Sequence, residues 1–191
     1  TTKLLSSLAI DPSNSQVVYA GYGGIDGSGI LKTTDGGASW MEIDIVSTRS
    51  NVRSIVIDPS NSLVVYAGYF NSSGGGIYKT TDGGASWTEI NAGLANQYVE
   101  SLILDPVNNL TVYAGTNGGV FRTTDGGASW TARNNGIIST IVRSLVIDPE
   151  NHQVVYAGTS VSGVSKTADG GASWTTINSG ITNIGSQINS L

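Results

Sequence analysis

Eight residues, Thr33-Thr34-Asp35-Gly36-Gly37-Ala38-Ser39-Trp40, return as Thr80 to Trp87, Thr123 to Trp130 and Thr167 to Trp174, with Ala168 the single departure. The steps between successive aspartates are 47, 43 and 44 residues. Self-similarity at this spacing marks an array of supersecondary units, which cannot bury their apolar faces alone and must stack on one another. Polar residues that recur at one address in every unit are therefore read first as architecture.

Each unit divides into four short runs rich in Val, Ile, Thr and Tyr, the composition of strands. The first ends in Asp-Pro, as in Leu5 to Asp11 and Val52 to Asp58; the second carries Tyr-Ala-Gly, as in Tyr19-Ala20-Gly21. The third leads into the eight-residue motif, and the fourth starts at its Trp. All four prolines sit in Asp-Pro-x-Asn, which reads as a turn: Asp bonds to amides ahead, Pro presets φ, and Asn tolerates a left-handed exit. Asp-Gly-Gly makes the second turn, its glycines supplying positive φ. Runs such as Ser54-Ile55-Val56-Ile57 are too apolar for a sheet with one wet face, so both faces are expected to be covered. Four antiparallel strands per unit, repeated radially, predict an all-β propeller of four four-stranded blades. A single array over 1–191 follows, with approximate blades 1–47, 48–94, 95–137 and 138–191.

The pattern Thr-x-Asp-x-Gly-x-Ser-Trp resembles the Asp-box, or BNR repeat, of sialidases, xyloglucanases, sortilin-type receptor domains and photosystem II assembly factors. The resemblance covers all four units. It implies a blade type and not a function, since one blade design carries unrelated activities. It also implies that Asp35, Trp40, Asp82, Trp87, Asp125, Trp130, Asp169 and Trp174 are structural and lie away from a ligand face. Four such blades either close as a four-bladed ring or form half of an eight-bladed ring made by two chains, so self-association as a homodimer is expected. Ile188-Asn189-Ser190-Leu191 resembles the opening of a further first strand. The sameness of the units points to recent duplication, an excised fragment or deliberate construction.

Composition removes several classes of function. There is no Cys, so there is no thiol or zinc-thiolate chemistry, and a lone His cannot form a histidine metal cluster. No cofactor or metal is expected. Charged residues are 12% of the chain and the net charge is −5 with no basic cluster, which argues against a nucleic-acid surface. No apolar run approaches the ~18 residues a membrane helix needs, and the composition suits a soluble, secreted or extracellular setting.

Eight of the 14 acidic residues occupy the two turn types. Glycoside hydrolysis needs two carboxylates facing one bond about 5 to 9 Å apart, and nothing marks such a pair among the remainder. The chain is therefore read as a non-catalytic binding or scaffold module. The alternative is part of a sialidase- or xyloglucanase-like glycoside hydrolase with its other blades missing. The connections between second and third strands are longer and aromatic in the first two units. They and the loops from a fourth strand to the next first strand, expected on the face opposite the Asp-boxes, give the candidate ligand residues Tyr22, Asp26, Tyr69, Phe70, Asn71 and Tyr98. Arg53, Glu100 and Arg143 share one address on the first strand, either as a salt-bridge belt or as an anion site. A carbohydrate or peptide ligand suits aromatic rings with polar neighbours.

Overall fold

The computed structural model describes residues 3–24, 27–43, 45, 50–71 and 74–181. Sixteen strands and no helix occur among them. The first blade is β1 (Leu4–Ile10), β2 (Val18–Gly23), β3 (Gly29–Thr33) and β4 (Met41–Ile43), and the second is β5 (Ser50–Ile57), β6 (Val65–Asn71), β7 (Gly74–Thr80) and β8 (Thr88–Glu89). The third is β9 (Val99–Leu104), β10 (Val112–Thr116), β11 (Gly119–Thr123) and β12 (Thr131–Ala132). The fourth is β13 (Val142–Ile147), β14 (Val155–Thr159), β15 (Val164–Thr167) and β16 (Thr175–Thr176). Each is a four-stranded meander in chain order, with the strand pairings antiparallel. The chain is thus an all-β array of propeller-type blades.

The first strand of a blade carries a bulge at one address, between Leu5 and Ser7, Val52 and Ser54, and Val142 and Ser144. The extra residue there (Ser6, Arg53, Arg143) is pushed out of the ladder, which re-aims its side chain. The fourth strands begin one residue after each Trp and not at the Trp itself. The connection between β6 and β7 also differs from expectation. Tyr69 pairs with Gly76 and Phe70 with Gly75, so the expected aromatic loop is mostly an extended hairpin.

Two compact units divide the chain: Thr1–Ile90 with Gln97–Val99, and Asn91–Asn96 with Glu100–Leu191. In the first unit, Val52, Ile55, Ala67 and Tyr69 of the second blade pack on Tyr19 and Ile30 of the first, with Ala9 and Ile43 alongside. Tyr19 Oη and Lys32 Nζ both donate to the carbonyl of Gly83, at 2.8 and 2.7 Å, pinning the second blade's Asp-box turn. The second unit repeats the design. Val142, Leu145 and Trp174 pack on Tyr113 and Val120, and Tyr113 Oη and Arg122 Nη1 donate to Gly170 O at 3.2 and 3.3 Å. Trp174 adds its amide to Asn135 O at 2.8 Å and its indole N–H to Arg133 O at 2.9 Å.

Candidate functional site

The eight-residue motif is a closed hydrogen-bond cage. Thr33 Oγ1 donates to Asp35 Oδ1 at 2.7 Å and accepts from the Gly37 amide at 2.9 Å. Asp35 Oδ1 also accepts from the Ser39 amide at 2.9 Å, and Oδ2 accepts from Ser39 Oγ at 2.5 Å. Gly36 and Gly37 hold φ of 70° and 95°, where a Cβ is disfavoured. Asp82, Asp125 and Asp169 make the same bonds. The hydroxyl of Ser39 and then its amide hold the Asp35 carboxyl well below the usual range, and the other three carboxyls are depressed in the same way. The variable second position takes no part in the bonds of the cage, so Ala168 fits. These aspartates grip their own main chain. The Asp-Pro turns do likewise: Asp11 Oδ1 accepts from the amide and hydroxyl of Ser13 at 2.8 and 2.7 Å.

The remaining candidates separate by burial. Tyr22 is 1% exposed and lies in β2, with its hydroxyl donating to Glu42; Lys3 sits over its ring at 3.9 Å and bonds Glu42 at 2.6 Å. Tyr69 is likewise buried in β6 and donates to Glu89 Oε1 at 2.9 Å while stacking on Tyr78, centroids 4.9 Å apart. Burial, then the neighbouring carboxylate, pushes both phenols up. Expected as loop aromatics, both are strand residues of the blade interior. The reason is that the second strand continues past Tyr-Ala-Gly and is covered on both faces, so a ring on either face is enclosed. Asp26 lies outside the described residues, and Asn71 is described by its backbone alone, pairing with Gly74.

Arg53, Phe70 and Tyr98 come together in the first unit. The Arg53 guanidinium is exposed and lies 4.9 Å from the centroid of Phe70, whose ring is 6.1 Å from Tyr98 at a 37° tilt. No carboxylate pairs with Arg53 among the described residues. The bulge aims the arginine, and β6 supplies the ring beneath it. The second unit treats the same address differently. Arg143 Nη1 donates to Glu100 Oε1 at 2.7 Å and its Nε to Ser160 Oγ at 3.0 Å, so this arginine is already neutralised. Two devices escaped the sequence reading. Glu42 and Glu89 serve as acceptors for buried tyrosines, signalled only by their shared place two residues after each Trp. Asn134 and Asn178 brace the turns opposite the boxes, accepting from Val120 N and Val164 N at 2.7 and 2.9 Å. Their common spacing, four residues after the Trp, was a readable signal. No group of three metal-binding side chains occurs among the described residues, and no described helix is long and apolar enough to cross a membrane.

Among solved structures, a GH74 enzyme from Niastella koreensis is 25% identical over 89% of this chain and 29% of its own length, with a TM-score of 0.71. A GH74 xyloglucanase from Xanthomonas campestris is 16% identical over 92% of this chain and 30% of its own, with a TM-score of 0.73. A YCF48 structure bound to D1 peptide is 20% identical over 92% and 54%, with a TM-score of 0.65. The chain thus spans about three-tenths of the two hydrolases and about half of the YCF48 chain. Comparison with curated proteins gave no match. The model of the family described as photosynthesis system II assembly factor YCF48, a BNR-type family, matches residues 22–144, and the chain belongs to that family.

Proposed function

We propose that this chain is a non-catalytic binding and scaffold module that captures a peptide through a carboxylate, at Arg53, Phe70 and Tyr98, and that joins copies of itself. One observation carries the ligand reading: an exposed arginine without a counter-ion among the described residues, held over one aromatic ring with a second beside it. A guanidinium binds a carboxylate through paired N–H donors, and the rings add apolar contact at small entropy cost. The solved YCF48 complex with D1 peptide is a relative that takes a peptide, which supports this ligand class. The architectural duties of the Asp-box carboxylates support a non-catalytic role.

The test is fluorescence anisotropy with labelled peptides that end in a free carboxylate or in an amide. The free acid is expected to bind more tightly. Arg53→Ala is expected to weaken it by about 10- to 100-fold, the range of a charged hydrogen bond of about 1.5–3 kcal/mol, with Tyr98→Ala a smaller loss. Equal binding of acid and amide, or an unaffected Arg53→Ala, overturns the reading. The GH74 likeness at 25% identity favours a second reading, a glycoside hydrolase fragment. Release of reducing ends from xyloglucan by the purified chain would replace the first reading with that one.

A further inference from the structure

The first blade carries an apolar face with no cover among the described residues. Leu5, Leu8, Ile10 and Trp40 occupy the places of Val52, Ile55, Ile57 and Trp87 in the second blade and Val142, Leu145, Ile147 and Trp174 in the fourth. Leu8 is 67% exposed, while Ile55 is 5% and Leu145 6%. Trp40 is 43% exposed against 5% for Trp174. Leu5, Leu8 and Trp40, with Ala20, Leu31 and Lys3, line an open hollow of about 320 Å³. A contiguous apolar surface of this kind is uncommon on a chain that works alone.

The fourth blade carries the complementary half. Inside each unit, a Tyr on the second strand and a basic residue on the third donate to the Asp-box glycine carbonyl of the following blade: Tyr19 and Lys32 to Gly83, Tyr113 and Arg122 to Gly170. Tyr156 and Lys166 hold those addresses in the fourth blade, with the ammonium 5.4 Å over the ring and no hydrogen bond from either head group among the described residues. Ile177 stands where Ile43 packs on the second blade, and is exposed. Gly180 matches Gly93 and Gly136, at which a Cβ would strike the carbonyl oxygen of Trp130 and Trp174 respectively; at Gly180 the same Cβ meets none of the described residues within 4 Å. Among the described residues, no Tyr and no basic side chain donates to the Gly36 carbonyl of the first blade.

The geometry points to a head-to-tail interface in which the fourth blade of one copy seats on the first blade of a second copy. Tyr156 and Lys166 donate to the partner's Gly36 carbonyl, and Ile177 and Val164 cover the hollow around Leu8. The occupant is a second copy because this chain carries both halves of a contact that it already makes twice within itself. The assignment rests on the self-association proposed above and is independent of peptide capture at Arg53. The interface is heterologous, since the two surfaces differ.

The test is the solution mass of the full chain by sedimentation across a concentration series, with circular dichroism and the peptide assay as controls. About twice the 19.7 kDa of one chain, or a higher multiple that grows with concentration, is expected. Leu8→Arg and Ile177→Arg, each at an exposed position, are expected to hold the chain at 19.7 kDa with unchanged circular dichroism. Mixing the two variants restores association, because the mixture contains one intact surface of each kind. A mass of 19.7 kDa for the unsubstituted chain at every concentration overturns self-association and leaves peptide binding standing. Association that survives Leu8→Arg, or that mixing fails to restore, overturns this interface alone.

Discussion

Asp82 accepts hydrogen bonds from two hydroxyls and one amide inside its own turn, and those donors favour the charged carboxylate over the acid. The folded carboxyl therefore titrates well below the ordinary aspartate range, as do those of Asp35, Asp125 and Asp169. A depressed folded value means that the contribution is complete above about pH 4, the unfolded value, and is lost as the pH falls below it toward the folded one. Asp82→Asn keeps an acceptor oxygen and removes the charge. Its urea midpoint should fall at pH 7 and lie nearer the unsubstituted protein's at pH 2.5, because acid has by then removed part of the same contribution. An identical gap at both pH values would show that charge at Asp82 plays no part. This much was legible in the residues, since Thr, Asp, Gly and Ser at fixed spacing are the donors and acceptor of one turn. The tyrosine–glutamate pairs were not. Tyr22 and Tyr69 follow Tyr-Ala-Gly closely enough to read as loop aromatics, and only the register across three strands shows them turned inward.

The turn after the fourth strand does at the level of an element what the cage does within a residue's reach. Gly136 has φ of 89°, and a Cβ there would run into the Trp174 carbonyl of the fourth blade. Gly180 has φ of 83° at the same address with no described residue within reach of a Cβ. Gly180→Ala should cost about 1 kcal/mol, the penalty for a Cβ at positive φ. Gly136→Ala carries that penalty plus displacement of a main-chain contact, and should cost at least twice as much. Denaturant midpoints of the two variants decide this, and equal losses would mean that the Trp174 contact yields freely. Strand existence and order followed from the β-rich runs and their turns. Strand ends did not. β12 and β16 keep only two ladder residues because Trp130 and Trp174 leave their own sheets to bond the preceding blade: Trp174 N to Asn135 O, and Trp130 N to Ala92 O. The address of Arg53 and Arg143 was equally visible, but their chemistry was set by tertiary partners, Phe70 for one and Glu100 for the other.

Across the whole molecule, tyrosine hydroxyls fasten one blade to the next within each unit, so their ionisation and the integrity of the blades are linked. Burial comes first among the causes that push Tyr19 and Tyr66 up to about 12, and it also raises Tyr113. A phenol raised in the folded state stabilises fully below the unfolded value of about 10 and loses that contribution as pH rises through the folded value. Tyr19 and Tyr113 are also the donors to Gly83 and Gly170, so a phenolate at either position has no proton left for that carbonyl. Alkaline unfolding should therefore be cooperative. Phenolate absorbance is expected to show a steep component between about pH 10 and 12 that coincides with loss of the β-sheet circular dichroism. Tyr19→Phe should lower stability at pH 7 by about 1 kcal/mol, the worth of one such hydrogen bond, and should reduce the steepness of the alkaline limb. Smooth titration of all eight tyrosines near pH 10 with the sheet signal intact would refute the coupling between blade packing and buried phenols.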